Sequence, residues 1–542
     1  MSLFWIALRS IQQRGVASVL TMISMALGVM LIVAVLTIHG VVSESFMNDK
    51  GLGYNMIIGA KGGQEQLVLN MVYYLSAPVE NVAYPYYLEF LPQEQRDAEL
   101  KNSYAYRAAE ARRLAAEAQA ELTGGGLGAE AVAKLDAAAA KYDVKALELG
   151  RNGKYAHTCS LVIPVCLGDF FERFRVVGTT PQFFDEMIYD VTNDKKYEFV
   201  QGRNFVRESP EHGFFECVVG ATVAREAVIR IGPDGKTTND DEVPGRPLKL
   251  GDTISPRHGA PDGHEHARRF TIVGILKPTG TPNDRAVFVN MEGFYLMEDH
   301  AKPLEEEPIG GATAGDEEAA DAPAAKPIET IDRPPPLPYE QREITGMLIR
   351  TSSPFMAPGL QTAVNEGKFA QAVFPIAVIY RLFENIVNPI QTAFLVLTSL
   401  ICAVSGISIL VSIYNSMSER RHEIAVMRAL GADRLAVMLI ILAESTMLAL
   451  GGGAIGWLVG HTVCAAVSPM VEERTGVAIG FFNKEPRFAP VAVLLNRETT
   501  DNDWKVPTEL AIIPGLLLLA VTVGLYPALQ AYRTDVARSL GK

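Results

Sequence analysis

The chain has 542 residues, a net charge of −13 and 48% hydrophobic residues. Such a length allows several domains, and the acidic balance argues against nucleic acid as a partner. The apolar residues are bunched into four long segments, which excludes a soluble enzyme.

A stub at 1–15 carries Arg9 and Arg14. The first apolar segment, Val16 to Val42, contains no Asp, Glu, Lys or Arg. A helix needs about 20 such residues to cross the hydrocarbon, and in lipid only a helix satisfies its own backbone over such a run. The segment is too long for the apolar part of a signal peptide, and Ser43-Glu44-Ser45-Phe46 is a poor cleavage site, so it reads as an uncleaved anchor at 16–43. Ser24 and Gly28, four apart, share one face of it.

A large, mostly polar region follows at 44–387. Tyr54 to Ile58 reads as a strand leading into Gly59-Ala-Lys-Gly-Gly63. Those glycines lack the lysine and Ser/Thr of a phosphate loop, and no strand–loop–helix unit is expected around them. Gly232-Pro-Asp-Gly-Lys-Thr237 lacks the upstream glycine and reads as a turn. The chain is therefore expected to carry no ATPase of its own. Residues 93–149 are rich in Ala, Glu, Arg, Lys and Gln, broken by Thr123-Gly-Gly-Gly126, and read as a helical hairpin, a solvated arm or a partner surface. Short β-branched and aromatic runs recur after it: Ser160–Pro164, Phe174–Val177, Glu216–Val219, Phe270–Ile275 and Ala286–Val289. Pro181–Met187 and Thr222–Ile229 look helical between them, so the region is mixed α/β.

Cys159, Cys166 and Cys217 fall in this region. Their odd number argues against a disulfide framework, with a Cys159–Cys166 bridge the one pairing considered. His258, His264 and His266 lie between two expected strands, beside Asp262 and Glu265. His-x-His binds zinc or copper when a third ligand is near; the competing reading is a polar hairpin turning on Gly259 and Gly263, with no metal. Residues 302–338, with Glu305–Glu307, Asp316–Glu318 and Pro334–Pro336, cannot bury a core and read as a disordered acidic linker.

The second apolar segment occupies 388–417, the third 435–470 and the fourth 508–532. Gly452, Gly456 and Gly460 repeat at four-residue spacing in the third, either as a close-packing face or as the ordinary glycine enrichment of membrane helices. Glu444 lies early in that segment. A charge at depth is expensive, so it is expected to stay wet near the headgroups rather than mark an ion path. The intervening loop, 418–434, carries Arg420, Arg421, Arg428 and Arg434, and the tail, 533–542, carries Arg533, Arg538 and Lys542. With Arg9 and Arg14, three short basic stretches alternate onto one side, which the positive-inside rule makes the cytoplasm. The large region and the 471–507 loop then lie outside. In the basic loop Ile424, Met427 and Leu430 share a face and Gly431 closes a short amphipathic helix, either a partner's handle or a passive interfacial helix.

Here the residues become recognisable. Glu419-Arg420, Glu423-Ile424-Ala425 and Met427 to Ala432, followed by Glu444 and the glycine series, resemble the FtsX/MacB/LolC-like permeases, the type VII ABC transporters. The start, Ala7–Ser10 and Ala26–Val29, and the end, Gly524–Leu529, Ala531–Arg533 and Asp535-Val536, look like that family's. Gly178–Phe184, Gly202–Phe205, Val219–Ala224, Leu250–Ile254 and Phe270–Lys277 are similar to the MacB-type periplasmic core. The resemblance omits about 93–150 and 302–340. It implies four transmembrane helices, with a mixed α/β periplasmic domain inserted between the first two. It also implies a dimeric permease, homo- or heterodimeric, in the cell inner membrane with both termini cytoplasmic. Two copies of a separate ATPase would bind ATP and Mg, with no cofactor in this chain. MacB-type chains carry a fused ATPase, whereas this sequence opens on a membrane helix.

The resemblance makes 418–434 a coupling helix, with Glu419, Arg420, Glu423, Ile424, Met427, Arg428 and Gly431 as the ATPase-coupling residues. The expected function is mechanotransmission: ATP hydrolysis in the partner drives motion outside the membrane, moving a lipid, lipoprotein, peptide or drug. The alternatives are an FtsX-like regulator acting on a periplasmic cell-wall hydrolase, and a metal-binding receptor; a periplasmic adaptor is a further partner to consider.

Overall fold

The computed structural model describes residues 3–46, 52–78, 80–122, 148–191, 193–230, 244–302, 334–419, 426–428, 431–475, 487–488 and 506–532. The chain divides into two compact units, 1–48 with 380–542, and 49–379.

The first unit is helical. Helix α1 (Leu3–Gln13) precedes α2 (Gly15–Phe46), α3 (Asn388–Glu419), α4 (Arg434–Thr475) and α5 (Ile512–Tyr532). The last four contain the candidate membrane spans, and all are long and apolar enough to cross a bilayer. Leu20, Val404, Leu458 and Leu518 point outward, as a lipid-facing surface requires. Met25, Val29, Val33, Ile409, Ile413, Val437, Leu448, Ala449 and Ala520 face one another in the interior.

The second unit is built on one mixed sheet of ten strands. In chain order these are β1 (Met56–Ala60), β2 (Cys159–Phe171), β3 (Phe174–Thr179), β4 (Phe199–Gly202), β5 (Glu216–Val219), β6 (Thr253–Ile254), β7 (Phe270–Leu276), β8 (Ala286–Asn290), β9 (Gly346–Thr351) and β10 (Ala370–Val373). They lie in the order β6-β7-β5-β8-β3-β2-β9-β1-β10, with β4 also paired to β7. The β7–β5 and β8–β3 pairs are parallel and the rest antiparallel. Every residue of β3, β5 and β8 is buried, so those strands read as continuous apolar runs. Strand β7 alternates buried and half-buried residues, as expected of a strand with one wetter face.

Two local expectations change, at the Gly59–Gly63 turn and at the base of the 93–149 insertion. The Gly59–Gly63 turn does sit between a strand and a helix, Gln64–Tyr73, which Tyr74 closes in the left-handed conformation at φ 59. Its N-terminus has no side-chain cap, and Lys61 donates to the Asn365 carbonyl. Cys159 and Cys166 lie on the same strand, β2, which keeps them apart. Burial pushes the Cys166 thiol up to about 12, beside the Tyr295 hydroxyl at 3.3 Å.

The 93–149 insertion begins with two helices, Gln93–Leu100 and Tyr104–Leu122, and its second arm lies outside the described residues. Its base is part of the core rather than a solvated arm. Glu99 meets Arg207 at 2.7 Å and Arg342 at 3.8 Å, and both arginines also hold Glu292, at 2.7 and 2.8 Å. Arg342 is fully buried between the rings of Tyr84 and Tyr295. The acidic linker expected at 302–338 falls mostly outside the described residues. Its last residues are ordered: the Pro336 carbonyl accepts from Arg107 and the Leu337 carbonyl from Asn102 and Arg342.

Candidate functional site

Small side chains decide where the membrane helices meet. A Cβ on Gly452 would stand 2.8 Å from Met25 Cβ, one on Gly456 would stand 2.4 Å from the Ala26 carbonyl oxygen, and one on Gly460 3.0 Å from Val33. The three glycines therefore form one face of α4, laid on the backbone of α2. A second seam joins α2 to α3. Ser24 and Ser405 share a hydrogen bond of 2.9 Å, and a Cβ on Gly28 would meet Cys402 Sγ at 2.8 Å.

Polar side chains pin the bundle at two levels. Near the start of α2, Arg14 bonds Glu444 at 3.2 Å and Ser10 donates to the same carboxylate at 3.0 Å. Glu444 is only 4% exposed, so the expectation that it stays wet fails. Arg14 and Ser10 supply charge and a hydrogen bond that water would otherwise supply, which is the usual condition for an ionisable group inside a bundle. At the other end of α2, Glu509 gathers Trp457 Nε1 at 3.0 Å, His461 Nε2 at 2.9 Å and Thr37 at 3.3 Å. His461 interrupts the third apolar segment, and its carboxylate partner, Glu509, comes from outside that segment.

Of the residues expected to couple to an ATPase, Arg420, Glu423 and Ile424 lie outside the described residues, and Glu419 ends α3. Met427 packs against the apolar interior of the bundle. Gly431 adopts φ +100, with its N–H on the Arg428 carbonyl and the Ala432 N–H on the Met427 carbonyl. This is a Schellman ending, which requires the left-handed backbone that glycine adopts without strain. Helix α4 begins three residues later, with the Arg434 guanidinium over the Tyr532 ring.

The α/β unit holds a separate cluster. A bulge in β2, between Leu167 and Phe170 where that strand pairs with β3, carries Asp169. Phe170 and Arg257 exchange backbone hydrogen bonds and so bring the 256–266 hairpin alongside. Asp169 Oδ2 lies 3.3 Å from His266 Nε2 and 3.0 Å from His300 Nε2, and Asp169 Oδ1 lies 3.4 Å from His258 Nδ1. Asp169 and His266 are fully buried; His258 is half-exposed. Burial alone would push the Asp169 carboxyl up, but His266 and His300 outweigh it and hold it at about 2. Burial lowers His266, and Asp169 more than offsets this, leaving the imidazole raised.

The three histidines expected from the sequence are thus only partly brought together. His264 is more than half exposed and faces Asp299 at 3.6 Å, although its ring lies 5.3 Å from that of His266. Asp169 and His300 were missed. They lie far along the chain from the His-x-His motif, and no spacing signals them.

Two family models match the chain. The MacB-like periplasmic core domain covers residues 18–314, and the FtsX-like permease C-terminal covers residues 395–536. No curated protein matches. The first model alone spans more than half of the sequence and the second covers three of the four spans. The chain is therefore a membrane protein with a periplasmic domain, and it belongs to the FtsX/MacB-type ABC permeases.

Proposed function

We propose that this permease is a mechanical transmitter between a cytoplasmic ATPase and its own periplasmic domain. The supporting observation is a continuous load path. The loop helix closes on Gly431 with Met427 seated in the bundle, and α4 runs without a break for 42 residues. Its glycine face lies on α2, and the Glu444 and Glu509 clusters tie the two levels, so a push at the loop moves helices as stiff bodies. The basic stub, loop and tail favour both termini and the loop on the cytoplasmic side of the inner membrane. In this reading ATP and Mg are bound by the partner, two permease copies act together, and the cargo is a lipid, lipoprotein, peptide or drug.

The test is co-purification. Glu423→Ala combined with Met427→Ala should abolish capture of the ATPase while the permease still inserts and folds. An unchanged amount of bound ATPase overturns the reading. A second reading, an FtsX-like regulator of a cell-wall hydrolase, is favoured by the exposed helix Tyr104–Leu122, whose Leu114 and Tyr104 face solvent. Recovery of such a hydrolase with the native chain, and its loss when 104–147 is deleted, would select it.

A further inference from the structure

Asp169, His258, His266 and His300 each offer one ligand atom, and these atoms lie within 4.8 Å of one another. Three of them form a nearly equilateral triangle: Asp169 Oδ2 to His300 Nε2 at 3.0 Å, Asp169 Oδ2 to His266 Nε2 at 3.3 Å, and His266 Nε2 to His300 Nε2 at 3.3 Å. A tetrahedral ion with metal–ligand distances near 2.0–2.1 Å has ligand-to-ligand edges of about 3.3 Å. The triangle already has that size. His258 stands at the fourth side, over the other carboxylate oxygen.

The polar atoms are poorly served by protein alone. Asp169 is fully buried, yet neither of its oxygens receives a hydrogen bond of normal geometry, and His258 Nδ1 also lacks one. Buried acceptors left so are costly, and native structures rarely keep them without an ion or water to serve them. Two imidazoles bring Nε2 beside each other and beside one carboxylate oxygen, so three candidate donor atoms gather in one place. The Glu298 carboxylate lies 3.8 Å from His266 Nδ1, too long for a hydrogen bond but beside the ring nitrogen that an outer carboxylate would orient. The Phe294 ring packs edge-on against His300, 4.4 Å between centroids.

We propose that Asp169, His258, His266 and His300 form a closed site for one zinc-type divalent ion. Imidazole nitrogens with one carboxylate suit zinc, and four protein ligands leave no open position for a reacting water. The ion is therefore structural. It fastens the β2 bulge, the 256–266 hairpin and the turn at 298–300 to one another, just before the acidic stretch at 302–338. This inference is independent of the transmission reading, since metal content and ATPase capture are measured separately.

The test uses the full chain in detergent, stripped with a chelator and dialysed, then titrated with zinc or with cobalt(II) as a coloured substitute. One zinc per chain is expected, with visible cobalt absorption of four-coordinate strength. Thermal unfolding of the periplasmic domain should move up when zinc is present, because an ion that binds only the folded state stabilises it. His300→Ala and His266→Ala should each weaken binding by at least about 100-fold, beyond the usual cost of losing an outer partner. His258→Ala removes a half-exposed ligand without opening the core, so it should keep the native circular dichroism while losing the cobalt band. His264→Ala should bind as the native chain does. Absence of stoichiometric metal in the native chain overturns the proposal. So does binding that survives His258→Ala and His300→Ala but is lost in His264→Ala, since that pattern marks adventitious capture by exposed histidines.

Discussion

The helical unit and the periplasmic domain bury charge in different ways. In the bundle, Glu444 and Glu509 each collect partners from other helices, and the helices otherwise approach through Gly452, Gly456, Gly460, Ser24 and Gly28. In the domain, Arg342, Glu99, Arg207 and Glu292 form one continuous network beneath aromatic rings, inside an otherwise apolar core. Lipid offers no hydrophobic drive between helices, so close packing and sparse polar pins must hold the bundle. Water drives the domain core together, and its ionic network is left to specify which segments join it.

The largest effect should come from breaking the network. Arg342→Ala removes the fully buried partner of Glu292 and Glu99 and leaves them only the half-exposed Arg207, and a loss of about 3 kcal/mol is expected. Near-ultraviolet circular dichroism of the tyrosines around it, followed on heating the solubilised chain, reads this. A native melting temperature would show that the network contributes packing only. Next comes the bundle. Gly456→Leu puts a side chain where the Ala26 backbone lies, and overpacking of this kind costs about 1–3 kcal/mol. Resistance of α2 and α4 to protease in membranes checks it, and an unaltered pattern would mean that this face tolerates separation.

Acid should separate the two regions further. Burial would raise the Glu216 carboxyl, but Arg203, Ser209, His212 and the Val206 N–H hold it at about 2, against an ordinary 4.5. A depressed carboxyl stabilises the folded state fully above its unfolded value, and that contribution disappears as pH falls from about 4.5 toward 2. The domain should therefore lose roughly 2 kcal/mol over that window, from this group, relative to pH 7. Glu216→Gln should flatten this limb of the stability curve; the same acid slope in the variant would assign it to other carboxylates. The smallest effect is expected on the exposed helix Tyr104–Leu122. Arg113 bridges Glu110 at 2.6 Å and Glu117 at 3.2 Å, but all three are solvated, so Arg113→Ala should leave the melting temperature unchanged. A measurable drop would reveal a partner on that helix.

Element identity was legible where a local pattern recurs. The uninterrupted apolar run of Val16–Val42 could only be a membrane helix, and Phe174–Val177 and Ala286–Val289 declared buried strands by their β-branched content. Gly431 signalled a helix end because few residues tolerate its backbone. The Gly59–Gly63 turn was misjudged for want of a clear period in the ten residues after it, where buried Leu67, Val68, Met71 and Val72 share space with buried Asn70. Glu444 was misjudged because its counterion, Arg14, is 430 positions earlier, and no spacing rule reaches that far.

The sequence by itself determined the spans and the family, since hydropathy and short motifs are properties of neighbours along the chain. Only the tertiary structure decided which charges became partners and which histidines converge. Arg342 with Glu99, Glu509 with His461, and Asp169 with His300 are joined by sheet register and helix packing, and the strength of each contact depends on distances in space that residue order does not encode.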